Sequence, residues 1–155
     1  MGLGNAPGVA FGLTAHAGAG WRLLTITVEG RADLPSYAEA DGGGKVNAAL
    51  IAGSLVPCVH VLPAIFGCAV GTVGSLRGEG EGVPDPLTDS SLYASAGIRA
   101  GAFIGLEPPV GLRLTLEGGA VLTPTVLELN GSEVWSSPPV YGALGVAAEV
   151  RWHSP

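Results

Sequence analysis

Residues 91–122 read SLYASAGIRAGAFIGLEPPVGLRLTLEGGAVL, and apolar residues alternate with polar or small ones on both sides of a proline-containing segment. A period of two is typical of a strand with two different faces, so the stretch predicts a hairpin that turns at Glu107-Pro108-Pro109. Arg99 and Glu117 each lie nine residues from Pro108, which predicts that they face each other on the polar side. The uncharged side is formed by Leu92, Ala94, Ala96, Ile98, Ala100, Ala102, Ile104, Leu106, Leu112, Leu114, Leu116, Gly118, Ala120 and Leu122.

The composition favours one domain with little charged surface. The chain has 155 residues, of which 47% are hydrophobic and 13% charged, and its mean hydropathy is +0.44. A typical soluble domain has about a quarter charged residues. The longest uncharged stretch, residues 46–76, contains Pro57, Pro63 and four glycines, which would interrupt a transmembrane helix. The hydrophobic residues are therefore assigned to strands.

The charge excludes nucleic acid as a partner. The net charge is -6 and the seven Lys and Arg residues are scattered. Nine acids lie in or beside predicted long loops, where they form a solvated surface or bridge divalent cations to anionic lipid headgroups. These acids are Asp33, Glu39, Asp41, Glu79, Glu81, Asp85, Asp89, Glu128 and Glu133.

Alternation continues along the chain and predicts seven strands. They cover residues 8–18, 21–33, 45–57, 64–77, 91–106, 110–122 and 140–152. Tight turns fall at 17–20, 58–63 and 107–109, and long loops fall near 34–44, 78–90 and 123–139, the last with an Asn130-Gly131 hairpin signal. Ile51, Leu55 and Val73 fall on the predicted inward side, so either a bulge shifts the register or apolar residues pack inside.

The alternation of tight turns with long loops, together with Trp152 near the end, resembles the small eight-stranded OmpA/OmpX-type barrels of the bacterial outer membrane, especially Gly/Ala-rich members. The resemblance implies an all-β, antiparallel, up-and-down transmembrane barrel with its apolar face toward lipid. The chain ends in His153-Ser154-Pro155 and not on an aromatic, which departs from the type. Such barrels have even strand numbers, so we expect an N-terminal strand and a signal peptide to be missing before Met1.

A small barrel has a narrow interior that side chains fill. The predicted inward charges have mixed signs, so the main hypothesis is that these side chains neutralise one another inside the barrel. The alternative is that they line a narrow gated channel. Catalysis by Glu29, Glu117 and Glu149 is disfavoured because a filled barrel lacks a substrate cleft, and no enzyme activity or cofactor is predicted. The predicted inward charges are Glu29, Arg31, Lys45, Arg77, Arg99, Arg113, Glu117, Glu149 and Arg151.

The two cysteines predict a disulfide, and three aromatic residues predict contacts at the membrane interface. Cys58 and Cys68 flank Pro63 symmetrically, which favours a cross-strand disulfide over two buried thiols, and a metal site is disfavoured because His60 is the only other ligand nearby. Trp21, Tyr93 and Trp152 lie near strand ends and are predicted as interfacial aromatics.

The sequence thus predicts an outer-membrane barrel with a structural, adhesive or scaffold role. Its expected partners are outer-membrane lipid, an envelope or extracellular protein bound through the long loops, and a second copy at the open strand edges. The alternative from another class is a soluble barrel of the lipocalin or avidin kind, whose apolar side would point inward around a small hydrophobic ligand.

Overall fold

The chain folds as an antiparallel all-β protein. The computed structural model describes residues 1–3, 9–39, 45–81, 88–107, 109–129 and 132–151. In that part of the chain no helix is long and apolar enough to cross a membrane. The strands are β1 (Gly2–Leu3), β2 (Gly12–Trp21), β3 (Leu24–Asp33), β4 (Ser36–Glu39), β5 (Lys45–Leu62), β6 (Ile65–Glu81), β7 (Thr88–Gly105), β8 (Val110–Val121), β9 (Val126–Leu129), β10 (Ser132–Ser136) and β11 (Val140–Val150).

Seven long strands form the body of one sheet. The strand order is β1-β11-β8-β7-β6-β5-β3-β2, so each long strand pairs with the next one along the chain. This up-and-down sheet curves into a half-barrel, and the short β1 lies on the outer edge of β11. The predicted all-β, antiparallel, up-and-down fold is confirmed, and the seven long strands correspond to the seven predicted ones.

Tight connections lie at one end of the sheet, here called the turn end; the opposite end is called the loop end. The first tight turn is at Arg22-Leu23, with Arg22 at a φ of 51°. Its predicted position at residues 17–20 is wrong. A Cβ on Gly18 would lie 2.6 Å from the Ile26 carbonyl oxygen, so Gly18 allows two strands to approach and does not form a turn.

The predicted long loops are partly strand. β4 lies within the first and pairs with β5, while β6 and β7 extend into the second. The third contains the separate β9-β10 ribbon, which flanks Asn130-Gly131 as predicted. Residues 40–44, 82–87 and 130–131 lie outside the described part of the chain. The pairing of β4 with β5 and of β6 with β7 thus extends beyond the predicted strand ends, where the backbone groups of neighbouring strands remain in register.

The register of β5 and β6 corrects the prediction for their faces. Pairing runs without a shift from Lys45↔Glu81 to His60↔Phe66, so no bulge lies near Ile51 or Leu55. Ile51, Leu55 and Val73 point outward, and the predicted inward side chain of Arg77 is also exposed. The side chain of Lys45 lies outside those described.

The interior beside β5 and β6 is apolar. It consists of two buried clusters, which fill the space that the charged side chains of the other strands leave. The first contains Ala48, Leu50, Ala52, Leu76 and Tyr93, and the second contains Val56, Cys58, Phe66, Cys68 and Val70.

Candidate functional site in the interior

Charged side chains from β3, β7, β8 and β11, and Arg151 just after β11, converge on the concave side of the sheet. Residues two apart on a strand share a face, which places Glu29, Arg31 and Asp33 on one side of β3. Four arginines meet four carboxylates, so the group is neutral in formal charge. We call this group the interior charge network; it comprises Glu29, Arg31, Asp33, Arg99, Arg113, Glu117, Glu149 and Arg151.

Arg99 is the centre of the interior charge network. Its Nη1 and Nη2 donate to the two carboxylate oxygens of Glu29 at 2.5 and 2.8 Å, and its Nε donates to Oε2 of Glu117 at 2.7 Å. The Tyr141 hydroxyl donates to the other Glu117 oxygen at 2.9 Å. The Arg99 and Glu29 side chains are only 11% and 7% exposed, so these charge-assisted bonds are shielded from water.

The contact between Arg99 and Glu29 also reports the curvature of the sheet. β5 and β6 lie between β3 and β7 in the strand order. In a flat sheet, three strand spacings would separate the two strands by about 14 Å. The direct ion pair therefore spans the concave side.

Asp33 belongs to the network, although the sequence placed it with the loop acids. Its two carboxylate oxygens accept hydrogen bonds from Nε and Nη2 of Arg31 at 2.7 and 2.8 Å, and its side chain is 2% exposed. The signal was present in the sequence, because Asp33 shares the parity of Glu29 and Arg31 on β3.

Arg113 is held by weaker contacts. Its guanidinium carbon lies 4.4 Å from the centre of the Phe66 ring, Nη2 lies 3.9 Å from Cys58 Sγ, and Nη1 lies 3.6 Å from Glu149 Oε2. Glu149 Oε1 accepts a hydrogen bond from Arg151 Nε at 2.7 Å. Within the described residues, Arg113 Nε and Glu149 Oε2 have no hydrogen-bond partner. Arg113 is thus positioned mainly by charge and by the Phe66 face.

A polar cavity of about 170 Å³ adjoins the network. Drug-sized ligands bind in mainly apolar pockets of roughly 300–1,000 Å³. Such pockets are larger and less charged than this cavity. Among the residues that line the cavity are Thr14, His16, Arg31, Arg99 and Glu117.

The two cysteines form the predicted disulfide. Cys58 and Cys68 are direct partners in the β5-β6 ladder, with Cα atoms 4.0 Å apart and sulfurs bonded at 2.08 Å. Both are buried on the concave side. The prediction is confirmed, because the turn at Pro63-Ala64 brings the two positions opposite each other.

The predicted interfacial aromatics lie in different environments. Trp21 is 61% exposed on the convex side at the turn end. The prediction for Tyr93 is wrong, because its side chain is 3% exposed and packs in the first apolar cluster. Tyr93 shares the inward parity of Arg99 on β7. Trp152 lies outside the described residues.

The network consists of ion pairs and charge-assisted hydrogen bonds. The described side chains include no group of three or more His, Cys, Asp or Glu residues that could hold a metal ion. Both oxygens of Glu29 accept hydrogen bonds from Arg99, and the two oxygens of Glu117 accept from Arg99 and Tyr141, so all four oxygens are occupied. The geometry is that of a charge-neutral interior beside a polar cavity.

No protein-family model, curated protein or solved structure matches this chain.

Proposed function

We propose that the protein is an integral β-barrel protein of the bacterial outer membrane with a structural role. The observation that carries the proposal is the inversion of the usual distribution of side chains. Leu13, Ile98 and Val146 are 81%, 74% and 73% exposed on the convex side, whereas on the concave side Glu29 is buried and the Arg99 side chain is only 11% exposed. Such an arrangement is unfavourable in water and favourable in hydrocarbon.

The outward charges leave an apolar band between them. Among the side chains described, Arg22 and Glu107 are exposed at the turn end, and Arg77 and Glu79 are exposed toward the loop end. On β6 the outward residues from Ile65 to Ser75 are uncharged. A transmembrane strand needs about 9–11 residues when it is tilted by roughly 45°, so the band matches the hydrocarbon core of a bilayer. Trp21 lies beside Arg22, where an aromatic residue would meet the lipid headgroups.

The cross-linked interior supports a structural role over transport. Arg99 joins Glu29 to Glu117 across the concave side, and the apolar clusters occupy the space beside β5 and β6. A continuous path for ions would require this network to open, which would strand buried charges. The charged interior and the exposed convex leucines also oppose a soluble barrel for an apolar ligand, whose polarity would be reversed.

Partition and electrophoretic mobility test the bilayer location. The full chain is refolded with and without detergent micelles, and samples are run on gels before and after boiling. We expect folding only in micelles or vesicles and a mobility shift on heating. A folded monomer that stays in solution without detergent would overturn the proposal.

Fractionation of native cells tests the particular membrane. We expect the protein to sediment with the outer-membrane fraction in a density gradient. Recovery with the inner membrane or the soluble fraction would contradict the outer-membrane assignment.

A further inference from the structure

Arg113 is a buried cation that the carboxylates of the network bind only weakly. Its side chain is 9% exposed, and its Nη1 lies 3.6 Å from Glu149 Oε2, which is beyond hydrogen-bond distance. Glu149 is already bound by Arg151 Nε at 2.7 Å. A buried guanidinium is normally paired with an anion through short hydrogen bonds. Arg113 therefore keeps donor capacity that the network does not use.

Arg31 shows how the same edge of a guanidinium is used elsewhere in the network. Its Nε and Nη2, which form one edge of the group, donate to the two oxygens of Asp33 at 2.7 and 2.8 Å. On Arg113 the Nε of this edge has no hydrogen-bond partner among the described residues, and Nη2 donates to Cys58 Sγ at 3.9 Å. A sulfur thus meets the edge of Arg113 that in Arg31 meets a carboxylate.

The charges at the turn end of the network are unequal. Arg113 and Arg151 bring two positive charges and Glu149 brings one negative charge, so this part has a formal charge of +1. The balancing negative charge lies with the two carboxylates that share Arg99, and all four of their oxygens already accept hydrogen bonds. A further anion in the interior would therefore be stabilised most beside Arg113.

Cys58 supplies such an anion when the disulfide is reduced. Both sulfurs of a disulfide are uncharged, whereas a reduced cysteine beside an arginine readily forms a thiolate. Cys58 and Cys68 lie in the buried apolar cluster that contains Phe66, and the Arg113 guanidinium carbon lies 4.4 Å from the centre of the Phe66 ring. A thiolate on Cys58 would thus meet a cation that is held beside it by the same cluster.

The exposed fractions of the two cysteines indicate which sulfur is attacked. Cys68 is 7% exposed and Cys58 is 2% exposed, so an incoming thiolate reaches Cys68 more easily. Arg99 lies opposite Cys68 in the β6-β7 ladder, but it is already bound to two carboxylates. Cys58 is then the leaving group, and thiol–disulfide exchange is faster when the leaving thiolate is stabilised.

We propose that Cys58 and Cys68 form a redox site that undergoes thiol–disulfide exchange with a dithiol, and that Arg113 is the counter-ion of the Cys58 thiolate. One thiolate of the dithiol attacks Cys68 Sγ, so a mixed disulfide forms, the bond between the cysteines breaks, and its electron pair stays on Cys58. The second thiol of the dithiol loses its proton and attacks the dithiol sulfur of the mixed disulfide, which releases Cys68 as a thiolate.

The exchange balances in electrons and protons. The dithiol loses two electrons and becomes a disulfide, and the protein disulfide gains them. Cys68 takes up one proton, Cys58 remains a thiolate beside Arg113, and one proton is released to water. The site lies on β5, β6 and β8 in the interior of the sheet. The failure of this inference would therefore leave the proposed bilayer location intact.

Redox equilibration tests the role of Arg113 as a counter-ion. The full chain in micelles is equilibrated with mixtures of reduced and oxidised dithiothreitol, quenched with acid and alkylated, and mass spectrometry gives the reduced fraction. The equilibrium depends on the relative stability of the two forms and not on how easily the reagent reaches the sulfurs. Arg77→Met, at an exposed position toward the loop end, is the matched control.

The loss of the counter-ion should disfavour the reduced form. We expect Arg113→Met to need an about tenfold higher ratio of reduced to oxidised dithiothreitol for half reduction, because a hydrogen bond to a charged group is lost. Arg113→Lys, which keeps the charge, should lie between Arg113→Met and the wild type, and Arg77→Met should match the wild type. The same ratio for Arg113→Met and the wild type would overturn the proposal.

Alkylation of the reduced wild-type chain tests the thiolate without any substitution at Arg113. The reduced protein in micelles is treated briefly with iodoacetamide at neutral pH, and the labelled peptides are quantified. We expect Cys58 to react about tenfold faster than Cys68, although Cys68 is the more exposed residue. Accessibility alone would give the opposite order. Equal rates, faster labelling of Cys68, or loss of the folded state on reduction, measured by circular dichroism, would overturn the proposal.

Discussion

Arg99 and Glu117 lie directly opposite each other on β7 and β8, and Nε of Arg99 donates to Oε2 of Glu117 at 2.7 Å. The same guanidinium binds both oxygens of Glu29 on β3, so one side chain ties a neighbouring strand and a distant strand together. The interior charge network therefore links two parts of the sheet whose strands are not adjacent. Its loss should weaken the curved sheet as a whole.

Replacing Arg99 should be strongly destabilising. Arg99→Met leaves the Glu29 and Glu117 carboxylates without their shared partner, and stranding a buried charge costs about 3–5 kcal/mol. Urea unfolding in micelles measures the change. Arg77→Met, at an exposed position toward the loop end, is the matched control and should stay within about 0.5 kcal/mol. Equal effects of the two substitutions would show that the network contributes little.

The depth of a new charge on the convex side should decide its effect. Ile98 and Leu106 are both exposed on the outward side of β7, but Ile98 lies in the middle of the strand and Leu106 follows its end. In a bilayer, Ile98→Arg should cost about 2–4 kcal/mol and Leu106→Arg about 0–1 kcal/mol. Unfolding measured in lipid vesicles provides the comparison. Two tolerated arginines would indicate that this side faces water.

Two glycines on opposite sides of the sheet should respond differently to a methyl group. A Cβ on Gly97 would lie 2.6 Å from the Gly118 carbonyl oxygen and 2.7 Å from the Tyr141 hydroxyl, whereas a Cβ on Gly71 would meet nothing within 4 Å. Gly97→Ala should therefore destabilise the protein by about 1–3 kcal/mol. Gly71→Ala should be neutral or stabilise it by up to about 1 kcal/mol. Thermal unfolding of both variants measures the difference, and a harmless Gly97→Ala would contradict the close packing at Tyr141.

The disulfide should contribute moderately to stability. The two cysteines are separated by 10 positions, and closing a loop of this size lowers the conformational entropy of the unfolded chain. At room temperature this raises the free energy of unfolding by about 2–3 kcal/mol. The double variant Cys58→Ala with Cys68→Ala should lose that amount in urea unfolding under oxidising conditions. Wild-type protein treated with a reductant is the control and should lose a similar amount. Unchanged unfolding of both samples would contradict this expectation and would show that the segment between the two cysteines is restrained in the unfolded state even without the disulfide.

The alternation of apolar and polar residues was sufficient to predict the strands and the partners within two hairpins. Period-two alternation identified the seven long strands and the outward side of β7, β8 and β11. The turn at Pro108 set Arg99 opposite Glu117, and the turn near Pro63 set Cys58 opposite Cys68. These features depend on neighbours in a hairpin, so turn position and strand parity determine them.

The pattern was insufficient where apolar residues lie on both sides of a strand. On β5, Leu50 and Val56 point inward while Ile51 and Leu55 point outward, so alternation gave no contrast and the predicted side was wrong. Tyr93 was misassigned for a related reason, because an aromatic residue near a strand end suits both an interface and an apolar core.

By itself, the sequence determined which residues share a face, the seven long strands of the described chain and the partners that meet in the hairpins at Pro63 and Pro108. The tertiary structure alone decided that Glu29 pairs with Arg99, that Asp33 joins the network, and that β1 enters the space between β2 and β11. The physical reason is that side-chain parity is a property of each strand, whereas contacts across the interior depend on the curvature of the whole sheet. That curvature results from the packing of all strands together.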